Sequence, residues 1–441
     1  MAVMWVVILA GLILLGVRKA GRVNLATAFN ELESVRAHWL ARAGVEQAVA
    51  ILDDDDTAVD DTLDFWYSDK LSFQRVELLR GEFSVLAPPG PEASPRRVRF
   101  GLSDHNGKLN LNTAGREELK SLCDLADWQV DALMDWRDGD SQVTPGGAEG
   151  AYYQGLPYPY EIRDGELQTV GELGLVKGMD SEVLDGEDAN GNGVLDECED
   201  DGMASLPPDD ADGKLLRGMK GLCTVYSFER NLTAVGEKRV NFNTADKDAL
   251  KEKFNFTDAL AEAITQHKAN QQSGGSQKNA SKNQAQRFNN RMELVGMKGK
   301  QQDDNRQDSD KLNEITLKWL AEHWDELTLT DDERLPGRIN VNTASGEVLR
   351  ALPKLTSAEV EAILRRQIGG KGPFESVGEL LTDEILSEEQ FKAVAESLTV
   401  RSSVFEVRSS AVTSHGIRRE ILAVVDRGTE PASVLYWYQS E

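Results

Sequence analysis

The chain has 441 residues, 40% of them hydrophobic, and its 49 basic residues stand against 75 acidic ones for a net charge of −26. That length exceeds a single core of roughly 100–200 residues, and the acid excess argues against a nucleic-acid surface, because phosphate binding rests on clustered Lys and Arg. Cys123, Cys198 and Cys223 are too few for a disulfide framework and lack metal-type spacing, so one pair and one free thiol is the most they allow.

Residues 1–17 are apolar or Gly, followed by Arg18, Lys19 and Arg22. At about 1.5 Å per residue this stretch reaches roughly 25 Å, short of a roughly 30 Å hydrocarbon core unless the helix continues. Leu25, Phe29, Leu32, Val35, Trp39, Ala43, Val45, Ala48 and Ile51 keep near-helical spacing without proline up to the acids Asp53 to Asp56. The expectation is one long helix, with a transmembrane segment at 1–22 and an amphipathic second half. A signal peptide is the bland alternative, but a basic n-region and a clean small-residue cleavage site are lacking.

Strand character follows at Gly81–Leu86 and Arg96–Leu102, a hairpin pattern separated by Pro88, Pro89 and Pro91. It returns at Leu398–Arg401, Val404–Arg408, Ser410–Thr413, Arg418–Asp426 and Ser433–Tyr438, with a turn at Ser414-His415-Gly416. These late strands are expected to pair with the early hairpin. Residues 105–395 would then be a mostly helical insertion between strands of one small sheet.

Inside that insertion a hexapeptide recurs: Leu109 to Ala114, Val240 to Ala245 and Ile339 to Ala344, each reading Asn-x-Asn-Thr-Ala after an apolar residue. The alternation suggests a short strand, and Asn-Thr falls where a helix needs its side-chain cap, with Glu117, Asp248 and Glu347 in the expected first turn. The motif residues are Asn110, Asn112 and Thr113, then Asn241, Asn243 and Thr244, then Asn340, Asn342 and Thr343. A second element, Thr169-Val-Gly-Glu-Leu173 and Ser376-Val-Gly-Glu-Leu380, reads as a capping box in the first and third modules, as do Thr356 and Glu359. The middle copy looks degraded, with polar stretches at 269–291 and 299–311 expected to be solvated loops. Modules opened this way resemble the helix-hairpin-helix proteins of DNA uptake. Yet Leu352 to Ser357 and Leu122 to Asp127 lack the glycine pair that would offer backbone amides to phosphate.

Residues 188–199 fit a twelve-residue calcium loop at every position: Asp188, Asn190 and Asn192 at 1, 3 and 5, Gly193 at 6, the Val194 carbonyl at 7, Asp196 at 9 and Glu199 at 12. A hard cation wants six or seven oxygens on one tight loop, and Gly193 permits the turn. Residues 178–213 carry thirteen acids and no Lys or Arg, so something must relieve their repulsion. A static structural site is expected, for which an affinity of about 10⁻⁴ M suffices outside the cytosol. Asp138, Asp140 and Glu149 form a second acidic constellation that could converge on a cation, the alternative being a solvated turn with Asp caps.

The long apolar helix, the Asp104-to-Ala114 stretch, the Asp135-Trp-Arg-Asp-Gly-Asp140 turn, the Gly-Ala-Glu and Tyr-Tyr run at 147–153 and the Leu398-Thr-Val-Arg401 ending resemble general secretion pathway protein K, a minor pseudopilin family of type II secretion. The resemblance implies a chain inserted in the bacterial inner membrane, its bulk in the periplasm, capping a pseudopilus with the minor pseudopilins I and J and touching other pseudopilins. It also implies processing by prepilin peptidase and, in some members, calcium binding by the helical domain. No basic leader precedes residues 1–17, so the chain reads as a shortened or nearly mature form. The stretch also lacks the acid that most pilins carry, and an uncompensated carboxylate in the filament core would cost several kcal/mol, which suits a subunit with no neighbour above it.

The reading is an α+β chain: a long N-terminal helix and a small antiparallel pilin-like sheet, interrupted by a large mostly helical insertion of SAM-like or helix-hairpin-helix-like modules. Its expected parts are 1–22, 23–104, a first module with the calcium loop at 105–235, a second at 236–330, a third at 331–397, and closing strands at 398–441. Scattered histidines, no Walker A sequence and no nucleophile elbow argue against an enzyme. The expected function is that of a pseudopilus-tip protein with bound Ca²⁺ and no nucleic acid. A membrane-tethered DNA receptor and a calcium-dependent adhesion module are the alternatives.

Overall fold

Helix α1 (Ala2–Asp53) runs unbroken for 52 residues, about 78 Å at 1.5 Å per residue. The computed structural model describes residues 1–91, 93–269, 287–300, 311–369 and 371–440. The apolar first part of α1 has no protein packed around it and suits a membrane span by length and composition. Its second part buries Ala37, Leu40, Ala41, Val45, Ala48 and Leu52, a spacing of three and four that puts one stripe against a sheet.

That sheet is antiparallel and has the order β1-β2-β5-β6-β7, where β1 is Val76–Leu78, β2 Gly81–Ala87, β5 Val404–Thr413, β6 Arg418–Asp426 and β7 Ser433–Ser440. Two short strands hang off this path: β3 (Arg99–Phe100) on β2 and β4 (Ser103–Asp104) on β5. The expected pairing of early and late strands is present, with Arg408 opposite Leu86 and Thr413 opposite Gly81. Phe83 and Val85 on β2, Phe405, Val407 and Ala411 on β5, and Ile421, Ala423 and Val425 on β6 form one core with α1. Gly44 lets the helix come close, since a Cβ there would overlap Ser409 Oγ and lie 2.8 Å from Phe83.

Everything between β4 and β5 is the insertion, and it is built three times over. Each hexapeptide opens as a two-residue strand that pairs in parallel with a later two-residue strand: Leu109–Asn110 with Cys223–Thr224, Val240–Asn241 with Leu327–Thr328, and Ile339–Asn340 with Leu398–Thr399. One correction follows for the expected closing strands at 398–441. Leu398–Thr399 does not join the pilin-like sheet but closes the third module, because the Ile339 strand offers it a partner inside the same core. The hexapeptides also do not cap their helices through Asn-Thr. α2 (Arg116–Leu122) follows Gly115, α4 (Lys247–Phe254) is capped by Asp246, and α6 (Gly346–Ala351) by Ser345. The intervening α3 (Asp127–Arg137) and the later α5 (Asp258–Ala269) and α7 (Ser357–Ile368) complete a helix pair per module.

The capping boxes divide. Thr356 and Glu359 form a reciprocal one at the start of α7, and the Thr169 N–H donates to Glu172. Ser376 instead accepts from Gly378, and Glu379 pairs with Arg366. The polar stretches expected as loops fall largely at 270–286 and 301–310, outside the described residues.

Candidate functional site

The two asparagines of each hexapeptide have separate jobs. The first accepts the N–H of the second at 2.9 Å in all three copies, an Asx turn that ends the strand. The second grips a distant backbone. Asn112 Oδ1 accepts from Leu167 N–H while its Nδ2 donates to the Leu167 carbonyl, both at 2.9 Å. Asn243 does the same to Phe288, at 2.9 and 3.0 Å, and Asn342 to Phe374, at 2.8 and 3.0 Å. Each gripped residue lies six positions ahead of a fully buried leucine, Leu173, Leu294 and Leu380. The middle module is therefore complete: Asn290 caps the short helix Arg291–Leu294, the counterpart of the Val-Gly-Glu-Leu elements. The threonines diverge. Thr113 Oγ1 stays near the Asn110 carbonyl at 3.5 Å, Thr244 Oγ1 near Asp331 at 3.4 Å, and Thr343 Oγ1 donates to Asp104 at 2.5 Å.

The insertion is tied to the sheet by three consecutive residues that start with the last of β4, and to which the sequence reading gave no role beyond their place in the Asp104-to-Ala114 stretch. Asp104 Oδ2 accepts from Ser402 Oγ at 2.6 Å and from Thr343. His105 meets Thr224 Oγ1 at 2.7 Å and Glu406 on β5 at 3.2 Å. Burial and the nearby Lys108 keep its imidazole below the usual histidine range, hence neutral. Asn106 donates to the carbonyls of Phe228 and Arg338 and accepts from Ser403 N–H. The first and third modules and the sheet thus share one polar hub, its buried groups satisfied by side chains and backbone atoms together.

Of the expected cation ligands, the structure brings Asp138 and Glu149 together with Asp135, the three carboxylates lying within 4.8 Å of one another. Asp140 stays in the turn, its carboxylate accepting from Gln142 N–H at 2.7 Å. Gly147 leaves room for this, since a Cβ there would overlap the Asp135 carboxylate. Glu149 is 4% exposed and neither of its oxygens has a hydrogen-bond partner. Burial and the Asp135 charge push its carboxyl above the usual range. An orphaned carboxylate beside two others is what a hard cation would satisfy, so these residues fit calcium. A further group, Asp55, Asp60 and Asp64, is answered from within the chain, because Arg427 donates to Asp55 at 2.7 Å and to both Asp60 oxygens at 2.7 and 2.9 Å.

The 188–199 loop is folded as a tight turn. Asp188 accepts from Asn192 and Gly193 N–H, and Glu199 accepts from Ala189 and Asp196 N–H. The Asn190 and Asn192 amides donate to Asp196 Oδ2 at 2.7 and 3.0 Å. Gly193 takes φ +68°, as the sixth position of such a loop requires. Asp188 and Glu199 are buried to 4% and 2% exposure, Val194 to 6%, and burial pushes both carboxyls up. The donor set is all oxygen, which fits calcium rather than a softer metal. All three cysteines are free thiols.

Two family models, each described as type II secretion system (T2SS), protein K, match residues 106–186 and 339–401. These two stretches of the chain are similar to the type II secretion protein K family. The matches cover the front of the first module, including the Asp135, Asp138 and Glu149 group, and nearly the whole third module. The middle module and the 188–199 loop lie outside them. Among solved structures the chain is similar to one in the GspK-GspI-GspJ complex from the enterotoxigenic Escherichia coli type 2 secretion system, at 14% identity and a TM-score of 0.45 over 96% of this chain and 99% of that one. No curated protein matches it.

Proposed function

We propose that this protein is the minor pseudopilin at the tip of a type II secretion pseudopilus, assembled with the I and J pseudopilins. The observation that carries the reading is that the two segments matched by the protein K models are modules of one insertion set between β4 and β5 of a sheet borne on a 52-residue helix. The role is assembly rather than catalysis. The apolar first part of α1 spans the inner membrane and packs in the filament. Beyond it Phe29, Leu32, Val35 and Trp39 stay exposed on the same helix, a stripe suited to neighbouring helices. The bulk of the chain lies in the periplasm, where the insertion caps the end of the filament.

Calcium belongs to this reading as a structural ion at two places. Asp135, Asp138 and Glu149 would hold one ion, and Asp188, Asn190, Asn192, Val194 carbonyl, Asp196 and Glu199 another. Bound at the first place, it would neutralise three carboxylates that the chain otherwise packs within 4.8 Å of one another.

The test is co-purification of the full chain in detergent with the cognate I and J pseudopilins. A stoichiometric complex is expected. Free I and J with no protein K in the peak would overturn the reading, and a salt-sensitive shift of duplex DNA would favour the DNA-receptor alternative.

A further inference from the structure

The 188–199 loop does not sit free on the first module but is pressed against the pilin-like sheet. Arg408 on β5 donates to the Gly191 carbonyl. The Leu195 N–H donates to the Pro95 carbonyl at 2.9 Å, in the proline-rich turn between β2 and β3. Gly193 faces Pro88 so closely that a Cβ would lie 2.6 Å from its ring. Just past the loop, Asp200 is ion-paired to Arg96 of the same turn.

Five of the residues in this seam, Pro88, Pro95, Gly191, Gly193 and Arg408, line a cleft of about 920 Å³ between the insertion and the sheet. Its floor is the sheet face turned away from α1: Ile421, Ala423 and Val425 pack on the helix, while Leu422, Val424, Tyr436 and Tyr438 line the cleft. The loop's own shape is set by carboxylates that also form its cation-binding oxygens, so the seam and the cation share a structural element.

We infer that the 188–199 loop is a calcium-dependent clasp that fastens the helical insertion to the pilin-like sheet along this cleft. The inference rests on reading the loop as a calcium site. With a cation inside, Gly191 and Gly193 are held in the positive-φ geometry that presents the Gly191 carbonyl to Arg408 and the bare Gly193 to Pro88. Without it, Asp188, Asp196 and Glu199 repel, the turn loosens, and the seam to Pro88, Pro95 and Arg96 opens. The insertion remains attached through the Asp104 to Asn106 hub, so the loss is a change of angle and rigidity rather than of fold.

Hydrogen exchange read by mass spectrometry on the full chain in detergent, with and without millimolar calcium, tests this alongside calorimetric calcium titration. The expected result is calcium binding together with at least about tenfold slower exchange in both 188–200 and 81–100. Arg408→Gln is expected to keep calcium binding and protection of 188–200 but to lose the slowing in 81–100. Calcium binding with protection confined to 188–200 in the unaltered chain would overturn the clasp and leave the calcium site standing. If Asp188→Asn leaves the titration unchanged, the loop is not a site and the clasp falls with it.

Discussion

Asn342 holds the backbone of Phe374 by both of its polar groups, accepting its N–H at 2.8 Å and donating to its carbonyl at 3.0 Å, with the asparagine fully buried. Asn342→Ala would strand a buried donor and acceptor, at about 1–3 kcal/mol for each group left unmet. Denaturant unfolding is expected to show a loss of about 3 kcal/mol, and Asn342→Asp should also be costly, because it can still accept but no longer donate. A loss under about 0.5 kcal/mol, the usual surface value, would mean that water replaces the grip.

Glu149 gives a prediction with opposite signs in two conditions. Glu149→Gln removes an unpartnered buried charge, so the calcium-free protein should be as stable as the parent or more so. The variant should also lose the calcium-induced rise in melting temperature contributed by this site, worth about 2.7 kcal/mol when calcium exceeds its Kd a hundredfold. An unchanged calcium response would remove Glu149 from the ligand set.

Acid stability should be governed by the ion pairs between modules. Burial alone would raise the carboxyls of Glu229 and Glu396, but Arg239 and Arg401 hold Glu229 down to about 2, and Arg291 and Arg338 do the same for Glu396. Their folded values lie below the unfolded one, so the stability they confer is present above about pH 5 and drains as pH falls toward 2. Near-ultraviolet circular dichroism, which sees Trp324 beneath Arg291, should follow an acid transition in that window. Arg401→Gln should move its midpoint to higher pH; an unmoved midpoint would assign the transition to other groups.

Gly44→Val probes the packing of α1 on the sheet. The added methyl groups meet Ser409 and Phe83, neither of which can move away without disturbing β5 or β2. The expected cost is about 2 kcal/mol in thermal unfolding, with the membrane segment unaffected. A neutral result would show that the helix stands off the sheet in solution.

Local chemistry carried much of this protein on its face. The 3.6-residue apolar spacing from Leu25 to Ile51 made α1 one helix, since periodicity needs no partner to be read. The strand character of Val404–Arg408, Ser410–Thr413 and Arg418–Asp426 around the Ser414-His415-Gly416 turn was readable for the same reason, although the structure joins the first two into one strand, and the oxygen spacing of 188–199 fits a cation because all its donors sit on twelve consecutive residues. The repeated Asn-x-Asn-Thr-Ala was equally visible. What it does was not, because Asn112, Asn243 and Asn342 grip backbone 55, 45 and 32 residues away at Leu167, Phe288 and Phe374. A side chain that binds peptide groups leaves no signature in its partner's residue type. Tertiary structure likewise decided the Asp104 to Asn106 hub, the transfer of Leu398–Thr399 to the third module, and the exchange of Asp140 for Asp135, each set by which groups the fold brings together.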